Sequence, residues 1–144
     1  MIYVKSNEGR EFKWRSNHAF LKVSAEESGG LFSMIEDNLT SDFVLPLHKH
    51  ADHADHAETF FIIDGVVEVT IDGRKIEAQK GDTLPVPPNA PHAVRCLRPA
   101  KMLTLFQPGG LENLFAAYEL MSAEDFDDPE KVRAVDLQHD NIVL

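Results

Sequence analysis

The chain has 144 residues, of which 43% are hydrophobic and 26% charged, as expected for one globular domain with a hydrophobic core. Its 24 acidic and 14 basic residues give a formal net charge of −10. This balance disfavours nucleic acid and anionic membranes as partners, because both attract clustered Lys and Arg. The single cysteine, Cys96, excludes an internal disulfide framework. A small-molecule substrate or ligand is therefore the expected partner.

The sequence carries no signal for a membrane span or for export. No apolar run approaches the ~20 residues of a membrane helix. The opening segment MIYVKSNEGREF lacks the apolar stretch that is typical of a secretory signal. We therefore expect a cytoplasmic protein.

Short extended segments separated by turn signals fill the first part of the chain. Phe12 and Trp14 alternate with charged residues, which is typical of a half-buried strand. Apolar-rich runs at 19–24 and 31–36 are divided by a break with two consecutive glycines, and a further extended segment covers 43–50. These segments predict strands.

The hairpin at 67–78 has the clearest signature. Apolar and polar residues alternate in its first strand, and Asp72 and Gly73 form the kind of two-residue turn that favours tight hairpins. Further strands are expected at 83–86, 92–97 and 101–107.

The apolar period changes after residue 110. Apolar residues then recur at three- and four-residue steps, which predicts an amphipathic helix: Leu111, Leu114, Phe115, Tyr118 and Met121. A second helix is expected to begin with Asp128 as N-cap and Pro129 at its first position, and to end near Asn141. These elements predict one domain over residues 1–144, with an all-β barrel or sandwich at about 10–107 and a helical segment at about 110–141.

Four of the seven histidines lie within the eleven residues HKHADHADHAE that begin at His48. Residues two apart on a strand point to the same side, so His48 and His50 share a face if this segment is extended. Glu58 begins the next apolar strand and shares a face with Phe60 and Ile62. A buried carboxylate at that position is costly unless it is paired or bound to a metal.

His92 begins a later strand, on which Val94 and Cys96 lie on the same side. Three imidazoles and one carboxylate would suit a divalent transition metal (Fe, Mn, Ni, Co, Cu or Zn) and leave positions open for a substrate. The histidines between the two strands, His53 and His56, also fit a solvated polar loop without a ligand role.

The spacing of the histidine-rich stretch follows a known pattern. His48, His50, Glu58 and Gly65 match, in order, a motif of the form G-x5-H-x-H-x3–4-E-x6-G. The gap between His50 and Glu58 departs from it, with seven residues in place of three or four. Deleting one of the two Ala-Asp-His copies restores a four-residue gap, which indicates an extended loop between two strands.

A second motif follows it. Gly81, Pro87 and His92 match the form G-x5-P-x-G-x2-H-x3-N, with Asn89 in place of a glycine and Cys96 in place of the closing asparagine. Both motifs resemble those of the cupin family, and the resemblance spans roughly residues 30–107. It implies a double-stranded β-helix, a small jelly-roll barrel, with helices after residue 110.

The resemblance implies that three histidines and one carboxylate hold the metal: His48, His50, Glu58 and His92. Strands fix ligands more rigidly than loops do. The alternative is a ligand set in which His53 or His56 replaces one of these four, and a barrel without metal is the remaining possibility.

The chain is similar to small cupins related to quercetin dioxygenase. This implies a metal-dependent dioxygenase that acts on a small enol- or phenol-type, flavonol-like substrate, with Glu58 as both ligand and base. The mouth of the barrel is expected to form the substrate pocket, lined by residues on inward strand faces: Phe60, Ile62, Val94, Cys96 and Phe106.

Two other functions remain open at this point: a non-catalytic module that binds or senses a small molecule, and a metal-dependent isomerase of a sugar or keto acid. An isomerase needs a further acid or base in the pocket, away from the metal. Tyr3 and Tyr118 are the only tyrosines, and neither lies on a predicted barrel strand. The resemblance also implies a homodimer, since such barrels often pair edge to edge.

Overall fold

The computed structural model describes residues 3–50 and 56–144, which form a curled antiparallel sheet followed by short helices. The strands are β1 (Arg10–Trp14), β2 (Asn17–Val23), β3 (Ser33–Leu39), β4 (Val44–His50), β5 (Ala57–Ile71), β6 (Arg74–Gln79), β7 (Thr83–Val86), β8 (His92–Gln107) and β9 (Asn141–Val143). The helices are α1 (Glu112–Glu119), α2 (Ala123–Phe126) and α3 (Pro129–Gln138). None of the helices in this described part of the chain is long and apolar enough to cross a membrane.

Strand β8 is the centre of the sheet. It pairs antiparallel with β3, β4 and β5, and β5 also pairs with β6 and β7. β1 and β2 extend the sheet beyond β3, while β9 pairs with β4. The predicted all-β jelly-roll barrel with helices after it is confirmed.

The predicted hairpin is formed by β5 and β6. Ile71 pairs with Arg74 across the turn, and the two turn residues, Asp72 and Gly73, have φ angles of 47° and 77°. Positive φ at both positions is the requirement of the primed turn, whose twist matches that of the strands.

Two pairs of predicted strands are each one continuous strand. The segments at 58–63 and 67–71 join in β5, and those at 92–97 and 101–107 join in β8. β5 continues through Gly65, at a φ of 83°, with register shifts against β8. The neighbouring backbone is so close that a Cβ on Gly65 would lie 2.3 Å from the carbonyl oxygen of Pro99. Gly65 therefore marks a bulge inside a strand and not its end.

The predicted start of the second helix is confirmed. Asp128 caps α3 by accepting hydrogen bonds from the backbone N–H groups of Glu130 and Lys131, and Pro129 occupies the first position. The helix ends at Gln138, earlier than expected, because the chain from Asn141 pairs with β4 as strand β9. Helix α2 was not predicted. A reciprocal capping box at its N-terminus stabilises this short helix.

Two apolar clusters fill the interior. The larger lies inside the barrel and includes Phe60, Ile62, Val94 and Cys96. The smaller consists of three buried side chains against which α1 packs: Phe12, Ala19 and Ile35. The ring of Phe115 on α1 meets that of Phe12 edge-on, with 5.8 Å between centroids. Helix α1 therefore packs on its own barrel.

Candidate metal centre

Three strands bring the four motif residues together. β4 ends with His48 and His50, β5 begins with Glu58, and β8 begins with His92. His48 lies directly opposite His92 in the β4–β8 pairing. His48, Glu58 and His92 are buried, with exposed fractions of 2%, 4% and 1%. Alternation along the strands therefore turns the four side chains towards one point in the interior.

One donor atom from each of these residues, His48, His50, Glu58 and His92, lies within 4.8 Å of the other three. His50 Nε2 and His92 Nε2 both lie within hydrogen-bond distance of Oε2 of Glu58, at 2.9 Å and 2.6 Å. Three imidazole nitrogens and one carboxylate oxygen at this spacing form a potential site for a divalent transition ion.

Backbone carbonyls orient two of the imidazoles. His48 Nδ1 donates to the carbonyl oxygen of Pro46 at 2.7 Å, and His92 Nδ1 donates to that of Ala90 at 2.9 Å. These bonds use Nδ1 of each ring and leave Nε2 for the centre of the cluster. A metal-binding histidine ordinarily gives its second nitrogen to such a carbonyl or carboxylate, so the donor set fits a metal.

The charge states of His48 and Glu58 also fit a metal site. Burial, together with the charge of His92, lowers the pKa of His48 to about 4, so this imidazole is neutral near pH 7 and keeps a lone pair. Burial alone would raise the pKa of Glu58, but hydrogen bonds from His50 and His92 outweigh it and lower the pKa to about 2. Burial likewise opposes protonation of His92, yet its hydrogen bond to Glu58 raises the pKa of His92.

Of the two alternative ligands, His53 and His56, only His56 lies among the described residues. His56 is half-buried and directly precedes β5, and it is outside the four-residue cluster found among the described residues. His53 and the inferred loop extension fall within 51–55, outside the described residues.

A cavity of about 640 Å³ opens beside the cluster, with His48, His50 and Glu58 in its wall. Residues from all three helices and from β9 also line this cavity. Of the predicted pocket residues, Phe60 and Phe106 line this cavity. The other three belong to the barrel core and are absent from the described wall: Ile62, Val94 and Cys96. Substrate contact by any of the five stays a prediction.

Cys96 has the environment of a structural thiol. It is buried and its Sγ donates a hydrogen bond to the carbonyl oxygen of Arg98 at 3.1 Å. Burial raises the pKa of the thiol, which disfavours the nucleophilic thiolate.

Tyr118 lies in the cavity wall although it is on a helix. Its hydroxyl donates a hydrogen bond to Oδ1 of Asp136, which joins α1 to α3. Burial raises the pKa of the Tyr118 hydroxyl and that of the Asp136 carboxyl. The phenol is therefore protonated at neutral pH.

Two further polar residues line the cavity, Asp37 and Thr104, and neither was predicted from the sequence. Thr104 Oγ1 donates a hydrogen bond to Oδ2 of Asp37 at 3.0 Å. The available signal was the alternation of β3, where Asp37 shares a face with the buried Ile35 and Leu39. Glu58 shows the same signal, a carboxylate on an inward apolar face.

Comparisons with known proteins agree with this fold and site. Residues 44–106 match the family model of the cupin domain. Over 92 residues the chain is 28% identical to quercetin 2,3-dioxygenase of Bacillus subtilis (strain 168). The aligned residues make up 64% of this chain and 26% of that relative. The chain thus spans about a quarter of the length of this curated relative.

Two solved structures are similar in fold. KdgF from Halomonas sp. superposes with a TM-score of 0.66 at 17% identity, over 77% of this chain and 98% of KdgF. An RmlC-like cupin from Shewanella frigidimarina NCIMB 400 superposes with a TM-score of 0.63 at 14% identity, over 76% and 92%. At these identities the likeness concerns the fold. The matched segment is a cupin domain, and the chain has the fold of the cupin superfamily.

Proposed function

We propose that the chain is a metal-dependent dioxygenase that acts on a small enol- or phenol-type substrate such as a flavonol. The observation that carries this proposal is the convergence of four donor atoms beside a cavity of about 640 Å³. This volume falls within the ~300–1,000 Å³ of small-molecule sites.

In this proposal His48, His50, His92 and Glu58 hold the metal. A bound divalent transition ion supplies a Lewis acid that lowers the pKa of a hydroxyl group coordinated to it. The low pKa of Glu58, about 2, suits an anionic ligand better than a base that works near pH 7.

Aromatic side chains around the cavity suit a planar substrate. Phe60 and Phe106 lie near the cluster, and Trp14 and Phe115 stack at the helical side with 4.7 Å between ring centroids. Aromatic rings favour offset or edge-on contact with other rings. The similarity to quercetin 2,3-dioxygenase supports a phenolic substrate, although that relative is a much longer protein.

Metal content tests the ligand set directly. Elemental analysis compares the purified wild type with His92→Ala, with His56→Ala, and with His139→Ala as a matched control outside the cavity wall. We expect His92→Ala alone to lose most of its metal, because it removes one of four donors. Full metal content in His92→Ala together with loss in His56→Ala would contradict the ligand set.

Oxygen uptake tests the reaction. Quercetin is added to protein loaded in turn with Fe, Mn, Ni, Co or Cu, and zinc-loaded protein is the control because zinc is redox-inactive. Uptake with at least one of the five metals, and none with zinc, would support the dioxygenase. Quercetin binding without oxygen uptake on any of them would favour the non-catalytic binding module.

A metal-dependent isomerase is the second candidate, favoured by one specific observation. Asp37 and Tyr118 are acid–base groups in the cavity wall outside the metal cluster, and the sequence alone offered no such group. Incorporation of solvent deuterium into a small keto acid or sugar, without oxygen uptake, would support this candidate against the dioxygenase.

A further inference from the structure

Asp37 is a carboxylate of the cavity wall that takes no part in the four-residue cluster. It lies near the middle of β3, opposite Ala19 on β2 and Met102 on β8. Both neighbours are buried apolar residues. The strand register therefore fixes Asp37 on the inner surface of the sheet, where a carboxylate contributes nothing to apolar packing.

Asp37 is half-buried and has few polar contacts. Within residues 3–50 and 56–144, its side chain has a hydrogen bond from Thr104 and no Lys or Arg nitrogen within 4.0 Å. Thr104 pairs with Phe60 on β5, two pairs along from the pairing of Glu58 with Phe106. Thr104 therefore lies between Asp37 and the metal cluster on the same surface.

The next residue provides an internal comparison. Glu36 points to the other side of β3, where it accepts a hydrogen bond from the backbone N–H of Asn7 at 2.7 Å and one from Lys101 at 3.4 Å. Lys22 approaches it at 3.9 Å. This carboxylate is tied to the N-terminal segment and neutralised by cations, which is what a structural role requires. Asp37 has neither kind of partner among the described residues.

The electrostatic surroundings of Asp37 bring its pKa close to neutral pH. Burial raises its pKa to about 7, with smaller contributions in the same direction from the charges of Glu58 and Glu36, while the Thr104 hydrogen bond opposes them. The other ionisable groups of the wall include Arg15, His18 and the cluster histidines. A general acid or base is most effective when its pKa lies near the working pH.

We propose that Asp37 is the proton-transfer residue of this cavity, acting on a hydroxyl of an enol- or phenol-type substrate bound beside the metal cluster. The substrate O–H bond breaks, an O–H bond forms on the Asp37 carboxylate, and the electron pair stays on the substrate oxygen as an enolate or phenolate. The reverse transfer restores both groups, so the step needs no oxidant. This inference rests on the proposed metal-dependent function.

A titration of the carboxyl group tests Asp37 without any substrate. Carbon-13 NMR of zinc-loaded protein, labelled at aspartate carboxyl carbons, is recorded from acid to alkaline pH for the wild type, Asp37→Asn and Thr104→Val. We expect one resonance with a midpoint near 7 that is absent from Asp37→Asn. Its midpoint should rise in Thr104→Val, which loses a donor to the ionised form. A midpoint below about 5 would overturn the proposal.

Proton counting tests the transfer itself. Catechol binding to zinc-loaded protein is measured by calorimetry at pH 8 in two buffers of different ionisation enthalpy. If Asp37 captures the proton of a catechol hydroxyl, Asp37→Asn should release about one proton more per catechol than the wild type. Asp64→Asn, on the exposed part of β5, is the matched control and should behave as the wild type.

Each result has a definite consequence. Equal proton release by the wild type and Asp37→Asn would overturn the role of Asp37. Loss of zinc in Asp37→Asn would also overturn it, because the residue would then support the metal site instead. Failure of catechol to bind the wild type would count against the proposed substrate class, while the NMR titration would still decide on Asp37.

Discussion

Replacement of Asp37 by asparagine should change the pH dependence of stability. The variant keeps an oxygen that can accept the Thr104 hydrogen bond, but it removes a carboxyl whose pKa is about 7 in the folded protein. In the unfolded chain this carboxyl should titrate near its ordinary value of 3.8. Between the two values the folded wild type binds a proton that the unfolded chain has released, so wild-type stability falls as pH rises through this window.

The magnitude follows from the difference between the two pKa values. At about 1.4 kcal/mol per pKa unit, a rise from 3.8 to about 7 corresponds to ~4 kcal/mol. The Asp37 contribution to stability is fully present below pH 3.8 and is lost above about 7. The free energy of unfolding of Asp37→Asn, minus that of the wild type, should therefore increase by ~4 kcal/mol from about pH 4 to pH 8.

Urea unfolding of metal-stripped protein measures this difference. Trp14, the only tryptophan, contacts the rings of Phe115 and Tyr118 at the helical side of the cavity, so its fluorescence reports on the packing of that region. Other titrating groups, including the cluster histidines, are present in both proteins and largely cancel in the difference. Asp64→Asn serves again as the exposed control.

A difference between Asp37→Asn and the wild type that stays constant within ~1 kcal/mol over this pH range would mean that Asp37 ionises normally in the folded protein. A constant offset without a trend would show only that the side chain contributes to packing or hydrogen bonding.

Three other predictions follow from the structure. Tyr118→Phe removes the donor to the buried Asp136 and should lower the free energy of unfolding by ~1–3 kcal/mol, with unchanged metal content. Gly65→Ala should cost more than ~3 kcal/mol, because it combines a positive φ with a Cβ clash, whereas Gly73→Ala has open space and should cost only the backbone strain, ~1–3 kcal/mol. Equal losses of stability in Gly65→Ala and Gly73→Ala would contradict the predicted clash at Gly65. Zinc at a hundred times its dissociation constant should stabilise the wild type by ~2.7 kcal/mol, and a similar effect on His92→Ala would count against the site.

Local sequence patterns determined much of the candidate site. The two-residue period of strands places His48 and His50 on one face and turns Glu58 and His92 inwards at the starts of their strands. The Asp72-Gly73 turn fixed a hairpin in the same local way. Periodicity and turn chemistry act over a few residues, so they can be identified in the sequence without the rest of the fold.

The tertiary structure decided which distant segments meet. Asp37 and Thr104 are 67 positions apart in the chain, and only the pairing of β3 with β8 makes them neighbours. Tyr118 lies in the cavity wall because α1 packs against β1, where the ring of Tyr118 contacts that of Trp14. These relationships arise from long-range strand pairing and helix docking, which the local sequence period does not predict.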